Sequence, residues 1–551
     1  MNSLAQRLAR PEIVALEPFD IASDTSLAAP DAIKLDANEN PYAPLVEGPM
    51  AASVNRYPEP QPARLKATLA ALYGVASDNI VITRGADDAI DMLIRAFCRP
   101  SVDAVAVCTP TFSAYAHFAR LQGARVIEAS LGPTFDFDAD AFLAAVGSEG
   151  DLKLAFICTP NNPTGNEVDP QLILKVADAL PETIVVADEA YLDFASTPSL
   201  AAEASGRPNL VVLKTLSKAF GLAGARVGCA IGEPATVAMA ARALPPYPLP
   251  SPSVEAALSA LAPSRRAIHA ERIARIRADR DRIAGLLAQS PLVRSVRSGG
   301  GNFLFLQVDD PDAMACTLRA AGIRVRFRPN AAAGGVRVTV GTPAENDALL
   351  RAFGVDVETA AGRRAEVVRD TRETAIAVSV DLDAASPRNI ATGVPFYDHM
   401  LDQVAAHGGF SLLLSCDGDT EIDAHHSIED CAIALGTALS KALGSKRGIR
   451  RFGFTLPMDE AEAQVLIDLS GRPYCRFEGD FEATNIGDYP TQMTPHVFRS
   501  LADSMGAAIH VKVEGDNDHH KTEACFKAFG RALRDAIRTE GDVLPSTKGV
   551  L

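Results

Sequence analysis

Up to about residue 357, short apolar runs alternate with helix-period segments, and each run closes on a polar or turn-forming cluster. AVAVC at 104–108, LAFIC at 154–158, TIVVADEA at 183–190 and LVVLKT at 210–215 read as strands. Strands spaced by helices predict an α/β domain with a largely parallel sheet. Ligands bind at the carboxyl ends of such strands. The proline-rich LPPYPLPSPS (244–253) interrupts the pattern, and a charged helix is expected from about Ser264 to Gln289. That passage should lead into a smaller domain ending near residue 357. ETAAGRR (358–364) is small and polar and reads as a linker.

Beyond the linker the composition changes. Eight of the ten histidines lie at or after His399. IDAHHSIED (422–430) and HHKTEACFK (519–527) carry the same HHxxE element, separated by about half of the last segment. An internal duplication, with two similar α+β halves each giving one metal-binding helix, is the simplest reading. A histidine and a glutamate three or four residues apart share a helical face. His425, His426 and Glu429, and His519, His520 and Glu523, are therefore candidate ligands, with His399, His407 and His496 as accessories. Nitrogen and carboxylate donors without thiolate suit Mn²⁺, Fe²⁺ or Zn²⁺.

The bulk numbers narrow the partners. A chain of 551 residues suggests three or four domains. A net charge of −16 argues against nucleic acid or an anionic membrane as partner. Nine scattered cysteines without a CxxC pair read as reduced, buried thiols of a cytoplasmic protein. The first residues lack the apolar core of a signal peptide, and no apolar run of about 18 residues predicts a membrane span.

A lysine Schiff-base enzyme needs a nucleophilic amine, a counter-charge for a pyridine nitrogen and a phosphate cradle. TLSKAFGLAGAR (215–226) offers Lys218 between Thr215 and Ser217 on one side and Arg226 on the other. VADEAYLDF offers Asp188 at a strand end and Tyr191 three residues on; TPNNPTG (159–165) offers Asn162 in a turn. TRGADDAI (83–90) is a glycine turn opening a helix, whose free N–H groups suit a phosphate.

With KLDANENPYAP (34–44), RYPEP (56–60) and RVTVGT (337–342), these motifs resemble the histidinol-phosphate aminotransferase branch of the fold-type I pyridoxal-phosphate transferases. The resemblance implies a large domain with a mostly parallel sheet (about 35–255) and a small domain (about 1–34 and 256–357). It implies that Lys218 holds the cofactor and moves the proton, and that Asp188 pairs with the ring nitrogen. Asn162 and Tyr191 would bond the ring hydroxyl. Gly85, Ala86, Asp87, Ser217 and Arg226 would hold the phosphate. Phe112 would stack on the ring where the branch often has tyrosine. Tyr57 would reach the neighbouring subunit of a dimer, and Arg337, assisted by Arg326, would bind the glutamate carboxylate and the substrate phosphate.

The segment 365–551 resembles imidazoleglycerol-phosphate dehydratase, through TGVPFYDHMLDQVAAHG, IDAHHSIEDCAIALG, GIRRFG, PMDEA, DLSGRPY, HHKTEACFKAFGRALRDA and PSTKGVL. The resemblance implies two Mn²⁺ ions held by His399, His425, His426, Glu429, His496, His519, His520 and Glu523. It makes Glu373 a substrate-site glutamate and the candidate for proton transfer. It places His407, Arg451, Arg472, Ser546 and Lys548 around the substrate, the last four at its phosphate. It also implies a shell of 24 subunits. Val497 stands where the family usually has an aromatic residue.

Together the resemblances imply two consecutive steps of histidine biosynthesis. Imidazoleglycerol phosphate would lose water to give imidazole-acetol phosphate, which glutamate would then aminate to histidinol phosphate. An amino-transfer half acting on an aromatic keto acid, or a silent half serving assembly, are the alternatives.

Overall fold

The computed structural model describes residues 58–147, 151–327, 335–357, 362–420, 422–453 and 456–546, with 456–458 by backbone alone, and the short strand Ile33–Lys34. The chain divides into two compact units, built chiefly on Met50–Ala260 with Arg272–Thr359, and on Ala360–Leu551 with Leu261–Glu271.

Seven strands form the main sheet of the first unit. They are β1 (Ile80–Thr83), β2 (Ala104–Thr109), β3 (Arg125–Ser130), β4 (Leu152–Cys158), β5 (Ile184–Asp188), β6 (Leu210–Thr215) and β7 (Gly228–Gly232). Their order is β1-β7-β6-β5-β4-β2-β3. Only β7 runs against its neighbours; the other pairs are parallel. The four apolar runs of the sequence are β2, β4, β5 and β6. Every residue of β6 is buried, as is all but one of β4, which is why these strands read as continuous apolar runs without alternation. Helix α1 (Ala86–Phe97) follows β1 directly. The charged helix runs from Arg266 to Leu287, slightly inside the expected limits.

A second, antiparallel sheet has the order β10-β11-β9-β8, from β8 (Val293–Ser298), β9 (Phe303–Val308), β10 (Arg326–Phe327) and β11 (Gly335–Thr339). Its register sets Arg326 opposite Arg337.

The second unit is a topological repeat. Its first half contains β12 (Arg364–Asp370), β13 (Thr374–Asp381), β14 (Arg388–Ala391), α2 (Pro395–Gly408), β15 (Ser411–Gly418) and α3 (His425–Leu443). Its second half contains β16 (Phe452–Gly453), β17 (Leu456–Met458), β18 (Ala461–Asp468), β19 (Tyr474–Glu478), α4 (Met493–Met505), β20 (Ala508–Glu514) and α5 (Asp518–Ile537). The sheets are ordered β12-β13-β15-β14 and β16-β18-β20-β19, with β17 also on β18. In both, the last pairing alone is parallel. The helices cross between halves: α2 packs on α5 and α3 on α4. Tyr397, Ile428, Leu435, Phe498, Phe526 and Phe529 accordingly meet in one core.

Two expectations need correction. The end of the supposed linker belongs to the fold, because Arg364 opens β12 and Arg363 pairs with Asp383 at 2.7 Å. All nine cysteines are free, but only six are buried: Cys316 is exposed, and Cys416 and Cys475 are half-buried.

Candidate active sites

In the first unit, β4, β5 and β6 deliver their carboxyl ends to one place. Asp188 ends β5 and is buried. Tyr115 donates to it at 2.6 Å and the Ala190 N–H at 3.1 Å. Burial pushes the Asp188 carboxyl up to about 6, against the pull of those two donors. The Tyr115 ring stacks on Phe156 with centroids 4.8 Å apart, and burial next to Asp188 raises its phenol well above the ordinary range. Tyr115 was missed in the sequence, although it closes the run PTFSAY. Phe112, read there as the stacking residue, meets Tyr115 edge-on at 5.6 Å.

Asn162 lies in the turn after β4. Its amide donates to the Tyr191 hydroxyl at 3.5 Å, and its Oδ1 accepts from Arg337 at 2.5 Å. Arg337 is thereby brought from β11 to the same centre. Lys218, just beyond β6, places its Nζ 5.8 Å from the centroid of the Tyr191 ring.

Gly85 precedes α1 with φ +82°, and leaves the helix's first N–H groups uncovered. Arg226 closes the other side. Its guanidinium donates to the Arg84 carbonyl at 3.2 Å, to Asp87 at 3.1 Å and to Ser217 Oγ at 3.4 Å. A Cβ on Gly85 would lie 2.8 Å from Arg226 Nη2, at a φ that L side chains rarely adopt, so glycine suits the cradle. A helix N-terminus, an arginine and a hydroxyl fit a phosphate. An amine and a buried carboxylate fit the ring of pyridoxal phosphate. Tyr57 lies outside the described residues.

In the second unit the eight expected ligands do not converge as one set. They form two triads and two outliers. In one triad, Glu429 lies 3.6 Å from His425 Nε2 and 3.0 Å from His496 Nε2. In the other, Glu523 lies 3.7 Å from His519 Nε2 and 3.5 Å from His399 Nε2. Each triad takes a histidine and a glutamate from one half and a histidine from the other. The buried His496 Nε2 has no hydrogen-bond partner although Glu429 is so near. In the first triad one donor atom from each residue lies within 4.8 Å of the others, which fits a metal ion; in the second, Glu523 also pairs with Lys527 at 2.9 Å.

His426 and His520 turn elsewhere, which corrects the shared face. Successive helical residues are rotated by about 100°, so the adjacent histidines point apart, and here it is the i, i+4 histidine that meets the glutamate. His426 Nδ1 meets Asp419 at 3.2 Å, and its Nε2 lies 3.8 Å from Glu373. His520 Nδ1 meets Glu460 at 2.9 Å. Each carboxylate raises the pKa of its imidazole. Asp419 and Glu460 were not singled out in the sequence; Glu460 lay inside the quoted PMDEA.

His407 lies on α2, where burial, Arg531 and Lys527 lower its pKa and Glu523 opposes them. Arg451 grips Asp468 with Nε and Nη2, at 2.5 and 3.0 Å, and donates to the Pro545 carbonyl at 3.0 Å. That ties it to the residue before Ser546. Arg472 sits in the turn after β18, and Lys548 lies outside the described residues. Val497 is fully buried, in a packing position.

A doubly wound sheet with a lysine, a buried aspartate and a phosphate cradle at its strand ends defines a pyridoxal-phosphate transferase fold. The chain belongs to the aminotransferase class I and II family, whose model matches residues 30–353. Residues 392–533 match the model of imidazoleglycerol-phosphate dehydratase.

The histidinol-phosphate aminotransferase of Sinorhizobium meliloti in complex with pyridoxal-5'-phosphate is 25% identical with a TM-score of 0.56, over 63% of this chain and 96% of that one. The aspartate aminotransferase of Thermus thermophilus with maleate is 21% identical with a TM-score of 0.54, over 63% and 98%, and shares the fold. The histidine biosynthesis bifunctional protein HisB of Stenotrophomonas maltophilia strain K279a is 58% identical over 191 residues, 35% of this chain and 54% of the relative. Its counterpart in Xylella fastidiosa strain 9a5c is 54% identical over 209 residues, 35% and 56%. The chain thus spans about half the length of the curated relatives it matches.

Proposed function

We propose that the chain catalyses two consecutive steps. Its C-terminal unit removes water from imidazoleglycerol phosphate, and its N-terminal unit transfers the amino group of glutamate to the resulting imidazole-acetol phosphate. The products are histidinol phosphate and 2-oxoglutarate. The observation that carries the reading is the pair of His₂Glu triads in the same chain as the Asp188, Asn162 and Lys218 centre.

Bound divalent metal, Mn²⁺ in this reading, would supply Lewis acidity at the substrate imidazole. His425, Glu429 and His496 hold one ion, and His519, Glu523 and His399 the other. His426 and His520, which lie off both triads, would serve centres shared with neighbouring copies, so the dehydratase would work as a homo-oligomer. Glu373, exposed beside His426, moves the proton at the reacting carbon. Arg451, Arg472, Ser546 and Lys548 bind the substrate phosphate; an arginine fork suits it.

Bound pyridoxal phosphate would supply an electron sink for the carbon bearing the amino group. Asp188 balances the charge on the ring nitrogen, and Tyr115 fixes that carboxylate. Lys218 carries the proton to and from the substrate carbon. Asn162 and Tyr191 orient the ring, and Arg337 with Arg326 anchors the carboxylate of glutamate and the phosphate of its partner. Tyr57 acts across a dimer. The nine free cysteines and the absence, among the described residues, of a helix long and apolar enough to cross a membrane support a cytoplasmic location.

The test supplies the full chain with imidazoleglycerol phosphate, glutamate, pyridoxal phosphate and Mn²⁺ and follows products by mass. Histidinol phosphate with 2-oxoglutarate is expected. Ketone alone would refute the amino-transfer acceptor, and no turnover would refute both.

A further inference from the structure

Glu373 and Glu460 occupy the same position of the repeat. Each ends the tight turn of a β-hairpin and directly precedes the strand that enters the sheet centre. Thr374, after Glu373, faces Gly418 across β13 and β15. The second half pairs Glu462 with Glu514, which sets Ala461, after Glu460, against Gly515. A Cβ on Gly515 would lie 2.9 Å from the Ala461 Cα, so the two backbones do meet there.

The two glutamates nonetheless meet different atoms. In the first half the Nδ1 of His426 is taken by Asp419, at 3.2 Å, and Glu373 is left near Nε2, at 3.8 Å. In the second half Glu460 itself takes the Nδ1 of His520, with its two oxygens at 2.9 and 3.0 Å. A carboxylate on one ring nitrogen fixes the tautomer and the ring plane, and leaves the other nitrogen as the donor.

We infer that Glu460 is a positioning residue that holds His520 with Nε2 as its ligating atom, as Asp419 does for His426. The duplicated glutamate has divided its work: Glu460 orients a ligand, and Glu373 is released for proton transfer. The inference rests on the dehydratase reading through the role of His520 as a ligand.

Mn²⁺ binding to the full chain, followed by the electron-spin-resonance signal of free Mn²⁺, tests it with Glu460→Ala, Glu460→Gln and Glu373→Gln. Loss of an outer-shell carboxylate costs about 10–100-fold in metal affinity. That loss is expected for Glu460→Ala at one class of site. Glu460→Gln, whose amide oxygen still accepts from Nδ1–H, should stay within about threefold of wild type. Glu373→Gln should bind Mn²⁺ normally and lose turnover. Unchanged affinity in Glu460→Ala, or equal losses in the alanine and glutamine variants, would overturn the positioning role alone. Wild type that binds Mn²⁺ with the expected variant pattern yet never dehydrates imidazoleglycerol phosphate would overturn the dehydratase reading alone. Wild type that takes up no Mn²⁺ would overturn both.

Discussion

Asp188 spends stability on function. Its folded pKa, about 6, lies above the 3.8 of a free aspartate because the carboxylate is desolvated. A raised carboxyl pKa favours the folded state below the ordinary value and loses that contribution as pH rises through the folded one. The cofactor-free protein should therefore weaken between about pH 4 and 6, by on the order of 3 kcal/mol. Asp188→Asn should remove that fall, so that thermal unfolding at pH 8 shows the cofactor-free variant melting above wild type, while its amino transfer collapses. Lys218→Ala should abolish amino transfer, by about a thousandfold or more, with dehydration intact. Lys218, Asp188 and Asn162 were legible because each sits in a short motif with a chemical rationale. Tyr115 was not, because its partner lies 73 positions away and only the fold joins them. The divergence of His425 from His426 was likewise hidden, since HHxxE records spacing while ring direction depends on what each side chain meets.

The elements of the first unit were legible as apolar runs because the sheet is covered on both sides. The second unit's strands were not picked out individually. β18 alternates between buried and exposed residues up to its half-buried last residue, and such a strand lacks the solid apolar run that marks β6. Its repeat was legible only through the histidine pairs. Two glycines show where elements touch. Gly85→Ala would drive a Cβ to 2.8 Å from Arg226 Nη2 at φ +82°, and should weaken pyridoxal phosphate binding about tenfold or more in a fluorescence titration. In α3, a Cβ at Gly436 would fall 1.9 Å from Ser504 Oγ and 3.3 Å from the Leu501 carbonyl of α4. Gly436→Ala should cost about 1–3 kcal/mol in denaturant unfolding of the second unit by forcing the helices apart.

At the scale of the whole molecule, the two proposed chemistries draw on separate residues. Chelation should stop dehydration and spare amino transfer. In the proposed homo-oligomer, where His426 and His520 would serve centres of other copies, sedimentation should also show smaller species after chelation. The composition predicted such a division, with eight of ten histidines in the last third, but not the crossing of helices between the repeated halves. That crossing reaches back in time. Neither half holds a full triad, since His496 comes to Glu429, and His399 to Glu523, from the opposite half. Two copies of one half-length ancestor, related by a two-fold axis, would have built two identical centres. Under the proposed duplication, joining the copies would free each from that identity, and a glutamate once obliged to serve both could specialise.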